Sequence, residues 1–139
     1  MLVAIGLQES RLIHRKQLPL RPGAPFGPAR GLWQFERGGG VTGVLTHPAT
    51  KTIAAKLCRE FDVVPAPSSV WNALAEDDVL AAAFARLLLW ADPRPLPTIG
   101  ARDEAWACYI RNWRPGKPHR HTWDSLYDAA VQAVRGSHD

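Results

Sequence analysis

A chain of 139 residues, 46% hydrophobic and 22% charged, with six tryptophans and a formal net charge of +4, has the make-up of one globular domain. At that length folding buries roughly two thirds of the surface the unfolded chain exposes, so no staple is required, and the composition excludes disorder and low complexity. The longest apolar stretch, VLAAAFARLLLWA, is interrupted by Arg86 and falls short of the ~20 residues that cross a bilayer, which excludes stable membrane insertion.

The opening segment MLVAIGLQESRLIHRKQ has the period of an amphipathic helix from Leu2 to Gln17, ended by Pro19. Leu2, Ile5, Leu12 and Ile13 share one stripe with Glu9, while Gln8, Arg11 and Arg15 form the polar face. These apolar residues are periodic rather than continuous, unlike a signal peptide, so the protein is expected to be made in the cytoplasm without one. A helix that begins at Met1 with no capping residue before it suggests a natural start further upstream. LPLRPGAPFGPARG then reads as a loop, and LWQFERGGGVTG, with Gly38 to Gly40, allows a small hairpin between Trp33 and Val44.

From Pro48 a helix places Ile53, Ala54, Leu57, Cys58 and Phe61 on one side. VPAPSS ends it, and SVWNALA forms a short helix capped by Ser68 or Ser69. Asp77 or Asp78 caps a long helix that is apolar nearly all round, as a central core helix is. DPRPLPTIG breaks the chain, after which Ala105, Trp106, Tyr109, Ile110 and Trp113 share a stripe until RPGKP. A last helix faces Trp123, Leu126, Tyr127, Ala130, Val131 and Val134 inward. Cys58 and Cys108, both on apolar stripes, read as buried free thiols rather than a disulfide. No alternating strand pattern is evident, so the expected fold is mainly α with at most a small β-hairpin: one domain over residues 1–135 and a frayed tail, 136–139.

The chemistry centres on Glu9. A carboxyl group on an apolar face has its charged form disfavoured, its pKa rises, and it can hold a proton near neutral pH as a general acid does. The competing reading has Glu9 reach the edge of its stripe and pair with an arginine of the 21–30 loop. His119-Arg120-His121 has no cysteine or carboxylate partner at ligand spacing and reads as a solvated helix start, so no metal and no cofactor are expected.

ESR, then GPARGLWQFE, then AWACYIRNWRPGKP, in that order over residues 2–115, resembles the lysozyme-like superfamily of soluble lytic transglycosylases and goose-type lysozymes, including phage-encoded cell-wall enzymes. The resemblance implies a lysozyme-like helical domain. It makes Glu9, with Ser10, the helix-end catalytic acid, and Gly31-Leu32-Trp33-Gln34 the counterpart of a Gly-Leu-Met-Gln segment that lines the sugar cleft. Tyr109 is then the tyrosine that approaches the acid. It implies substrate contacts from Ser10, Trp33, Gln34 and Tyr109, and gives Glu36, two residues after Gln34, the place of a carboxylate that positions or activates water. The competing reading of Glu36 is a loop glutamate paired with Arg37 or Arg30. Family members usually follow the tyrosine with asparagine, whereas Ile110 follows Tyr109 here and Asn112 stands three residues on. Among the tryptophans, Trp33, Trp113 and Trp123 could stack on sugar rings; core stripes account better for Trp106 and Trp123, and Trp33 is the better cleft candidate.

The expected function is cleavage of the β-1,4 bond between N-acetylmuramic acid and N-acetylglucosamine in bacterial peptidoglycan by general acid catalysis, of lysozyme or lytic transglycosylase type. The family implies access to the wall by holin-type release or as part of a virion. A catalytically weak glycan-binding or structural phage protein is the alternative. A third class, a basic nucleic-acid binder, is disfavoured because the cationic residues are dispersed along the chain rather than gathered on one helix. Arg114 and Lys117 could instead form a basic rim for anionic wall polymers.

Overall fold

The computed structural model describes residues 1–137. Among them are seven α-helices and one two-stranded antiparallel sheet: α1 (Leu2–Ser10), β1 (Ala29–Arg30), β2 (Phe35–Glu36), α2 (Thr42–Thr46), α3 (Lys51–Glu60), α4 (Pro67–Glu76), α5 (Asp78–Ala91), α6 (Arg102–Trp113) and α7 (Arg120–Gly136). The fold is therefore mainly α with a small hairpin, as the sequence leads one to expect.

Helix α5 lies at the centre. The Asp77 carboxylate caps it, accepting from the amides of Val79 and Leu80 at 2.9 and 3.0 Å, and Leu80, Ala81, Phe84, Ala85, Leu87 and Leu89 are buried along it. Ile5 from α1, Leu74 from α4 and Trp123 from α7 complete the core. Cys58 and Cys108 are both buried free thiols, and burial pushes both up in pKa.

Four boundaries differ from expectation. Helix α1 ends at Ser10, not Gln17, because Arg11 (φ 58°) and Leu12 (φ 55°) turn into the left-handed region. Tertiary pairing wins over helical period here: Lys16 bridges Arg30 beside β1, and the Gly31 and Gln17 amides donate to the carbonyls of Arg15 and Ala29. Leu12 and Ile13 thus leave the stripe of Glu9, and Leu12 folds back onto Gly6, where a Cβ would come within 2.3 Å of it. The hairpin spans Ala29 to Glu36, pairing Ala29 with Glu36 and Arg30 with Phe35, rather than lying between Trp33 and Val44; the glycines beyond it form a single π-helical turn, Arg37–Val41. Helix α4 begins at Pro67, which suits a first helical position, so neither Ser68 nor Ser69 caps it. Helix α7 keeps its geometry through Gly136, one residue into the expected tail; residues 138–139 of that tail lie outside the described residues. Ile53 and Val134, placed on inward stripes by spacing, are 45% and 43% exposed.

Candidate functional site

Glu9 stands in the last turn of α1, where the left-handed residues that follow carry the chain away and leave its carboxylate facing α6. There the hydroxyl of Tyr109 donates to Glu9 Oε1 at 2.5 Å, across 100 residues of sequence. The ion pairs among the described residues leave Glu9 out. Arg30 of the 21–30 loop instead donates to the carbonyls of Gly27 and Ala29 and lies over the Trp71 ring at 4.2 Å. Glu9 is therefore not a salt-bridged surface acid.

Loss of water around the partly buried Glu9 raises its pKa from 4.5 to about 7, and the hydrogen bond from Tyr109 acts in the opposite sense. The Tyr109 phenol is pushed up, first by burial and then by the charge and hydrogen bond of Glu9, so it stays a neutral donor. The pair is a carboxyl group able to hold or release a proton near neutral pH, beside a hydroxyl that stabilises the anion.

Aromatic packing fixes the donor. Tyr109 is 3% exposed and stacks on Trp123 with ring centroids 5.3 Å apart and planes 6° apart, while Trp106 sits at 5.4 Å and Trp113 at 6.4 Å. Asn112 donates to Asp92 Oδ2 and to the Cys108 carbonyl at 2.8 and 2.9 Å, and Arg111 pairs with the same carboxylate. Burial pushes the Asp92 carboxyl up, but hydrogen bonds from Asn112, the Arg94 amide and Arg111 outweigh it and hold the group below its ordinary range. Asn112 thus secures α6, which carries Tyr109, to the end of α5.

The segment Gly31 to Gln34 forms the frame of the site. Ser10 Oγ donates to the Leu32 carbonyl at 2.6 Å, the Trp33 indole N–H to the Leu2 carbonyl at 2.9 Å, and the Trp113 indole N–H to the Trp33 carbonyl at 2.8 Å. Gln34 adopts φ 52° and donates through Nε2 to the carbonyls of Gly31 and His14. Two expected substrate contacts are corrected by these facts. Ser10, 4% exposed, and Trp33, 8% exposed, are buried with their polar atoms occupied, so neither presents a face to a sugar; both lock the loop to α1. Trp123, fully buried with its indole N–H on the Arg102 carbonyl, is likewise core and no stacking platform. Gln34 and Trp113 remain partly exposed.

Glu36 is exposed on β2 and, among the described residues, makes no ion pair with Arg30 or Arg37. It lines an open hollow of about 520 Å³ with Phe26, Arg30, Arg37 and Trp71, a hollow that does not include Glu9. The structure brings Glu9 and Tyr109 together and fastens Ser10 to the Gly31–Gln34 segment, while Glu36 stands at the hollow beside Arg30, Arg37 and Trp71. The three tryptophans around Tyr109 were legible as residues of two helical stripes, with Trp113 and Trp123 also open to a stacking role, but not as one cluster; the Asp92 contacts had one sequence signal, an aspartate at the close of a long helix, where its Oδ1 accepts from the Arg94 amide. Among the described residues no group of three His, Cys, Asp or Glu side chains could hold a metal, and no helix is long and apolar enough to cross a membrane. No family model matches the chain, and neither a curated protein nor a solved structure is significantly similar to it.

Proposed function

We propose that this chain cleaves the glycan strands of peptidoglycan, with Glu9 as the proton donor to the β-1,4 glycosidic oxygen. The observation that carries the reading is the Glu9–Tyr109 pair: a partly buried carboxyl raised to about 7, in contact with a neutral hydroxyl that a ring stack holds in place. A carboxylic acid at neutral pH is what protonation of a leaving-group oxygen needs. As the C1–O4 bond breaks, the carboxylate left on Glu9 is stabilised by the Tyr109 hydroxyl.

Glu9 as the one acid, with Tyr109 as its hydrogen-bond partner, is what the one-acid route needs. The sugar's own 6-hydroxyl oxygen then bonds to C1, its proton returns to Glu9, and the product carries a 1,6-anhydro end. Inverting hydrolysis asks instead for a second carboxylate roughly 6.5–9.5 Å from the acid with water between them, the role in which Glu36 would act.

The test is digestion of purified peptidoglycan by wild type and by Glu9→Gln, with mass spectrometry of the soluble fragments. Anhydro-ended fragments from wild type and none from the variant support the one-acid reading; reducing ends lost in both Glu9→Gln and Glu36→Gln shift it to hydrolysis. Absence of fragments from folded wild type overturns the enzyme reading in favour of a glycan-binding or structural protein.

A further inference from the structure

At the end of α1 remote from Glu9, a second feature is built that peptidoglycan cleavage does not use. Met1 to Ala4, Arg86 and Leu89 of α5, Leu96 and Ile99 of the connection between α5 and α6, and the outer face of α7 enclose a cavity of about 300 Å³. Three large apolar side chains at it are widely open to water: Leu96 is 46% exposed, Ile99 66% and Val134 43%. Isolated exposed apolar side chains are ordinary, but several converging on one concavity mark a place where something apolar binds.

The wall is held in place. The amide of Gly100 donates to the Tyr127 hydroxyl at 3.0 Å, which fastens the segment carrying Leu96 and Ile99 to α7. Two arginines belong to the lining, Arg86 from α5 and Arg135 from α7. Both are exposed, and among the described residues neither is held by a carboxylate. Arg86 lies over the ring of Trp90, 5.7 Å from its centroid. An apolar lining that also includes two arginines matches a molecule with one apolar tail and one anionic head, since guanidinium pairs with carboxylate in a bidentate fork. The volume stands at the small end of the roughly 300–1,000 Å³ typical of small-molecule pockets. It suits one alkyl chain and not a two-chain lipid. A second copy of the chain would bring arginines against arginines on a molecule already carrying a net +4.

We propose that the cavity between the start of α1, α5 and α7 binds a single-chain carboxylate amphiphile, its alkyl tail among Leu2, Leu89 and Val131 and its head between Arg86 and Arg135. The probe is laurate, titrated into the full chain below its micelle concentration by calorimetry. One laurate is expected per chain. Removing both guanidinium groups in Arg86→Gln/Arg135→Gln is expected to weaken it about tenfold or more, as loss of a charge-assisted contact does. Octanoate is expected to bind far more weakly, at about fourfold per methylene removed from an apolar wall. Ile99→Glu, at a position open enough to leave the fold intact by circular dichroism, is expected to abolish binding. The proposal is overturned by any of four results: no saturable binding of laurate, equal affinity for dodecyltrimethylammonium, unchanged affinity in Ile99→Glu, or sedimentation showing a dimer that Ile99→Glu disperses.

Discussion

Replacing Glu9 by glutamine should make the protein more stable, and only above a definite pH. Glu9 has a folded-state pKa of about 7 against 4.5 for the free group. Below pH 4.5 both folded and unfolded chains carry the proton, and the group has no net effect on the slope. Between about 4.5 and 7 the unfolded chain has released its proton while the folded chain still holds one. Stability therefore falls as pH rises through that window and levels off above 7. At 1.36 kcal/mol per pKa unit the loss from this one side chain comes to about 3 kcal/mol. Glutamine keeps the shape and a carbonyl that can accept from Tyr109, but it does not titrate. Urea unfolding of both proteins at pH 4 and pH 8 gives the difference directly: the variant should gain about 3 kcal/mol on wild type between the two values, other titrating groups cancelling in the comparison. A gap independent of pH would refute the claim that Glu9 is an acid held out of water, whatever the protein does to glycans.

Tyr109→Phe removes the donor that stabilises the Glu9 carboxylate, so the Glu9 pKa should rise by roughly 1–2 units, the equivalent of a hydrogen bond to a charged group; carbon NMR of labelled glutamate follows it, and an unchanged or lower value contradicts the assignment. Ser10→Ala takes the hydroxyl from the buried Leu32 carbonyl 2.6 Å away and should cost about 1–3 kcal/mol in urea unfolding. Gly31→Ala should cost at least as much, about 2 kcal/mol or more, because Gly31 has φ 78° and an added Cβ would meet the Leu74 carbonyl oxygen at 2.8 Å; a neutral outcome would mean that the hairpin shifts freely.

The elements that can be read from the chain are those whose period and punctuation agree. Asp77 before an apolar run, and Pro93 and Pro95 after it, delimit α5 because cap, helix and breaker all act locally. The stripe of Trp106, Tyr109 and Trp113 likewise places α6. Helix α1 misled because Leu12 and Ile13 continue its period by coincidence, while the Arg15 carbonyl accepts from the Gly31 amide and the Gln17 amide donates to the Ala29 carbonyl, which draws the segment into the hairpin. Nothing local in RLIHRKQ announces that pairing. At the site, Glu9 stood out by its position on an apolar stripe, and its contact with Tyr109 is a fact of tertiary structure that only the resemblance anticipated. Ser10 and Trp33 were noticed for the right neighbourhood, but both are buried and brace the wall, since a motif marks a position without saying which way a side chain faces. Glu36 matches a spacing, but the hairpin turns it toward Arg30, Arg37 and Trp71.

Four of the six tryptophans close the fold through a single proton each: Trp33 onto Leu2, Trp71 onto Pro28, Trp113 onto Trp33 and Trp123 onto Arg102. Each indole N–H joins two segments that the chain itself keeps far apart. Their exchange with deuterated water thus gives four separate clocks on local opening. The Trp33 and Trp113 protons, which clamp the loop to α1 and α6, time the loosening of the frame around Glu9, while Trp123 in the fully buried centre times the opening of α6 from α7.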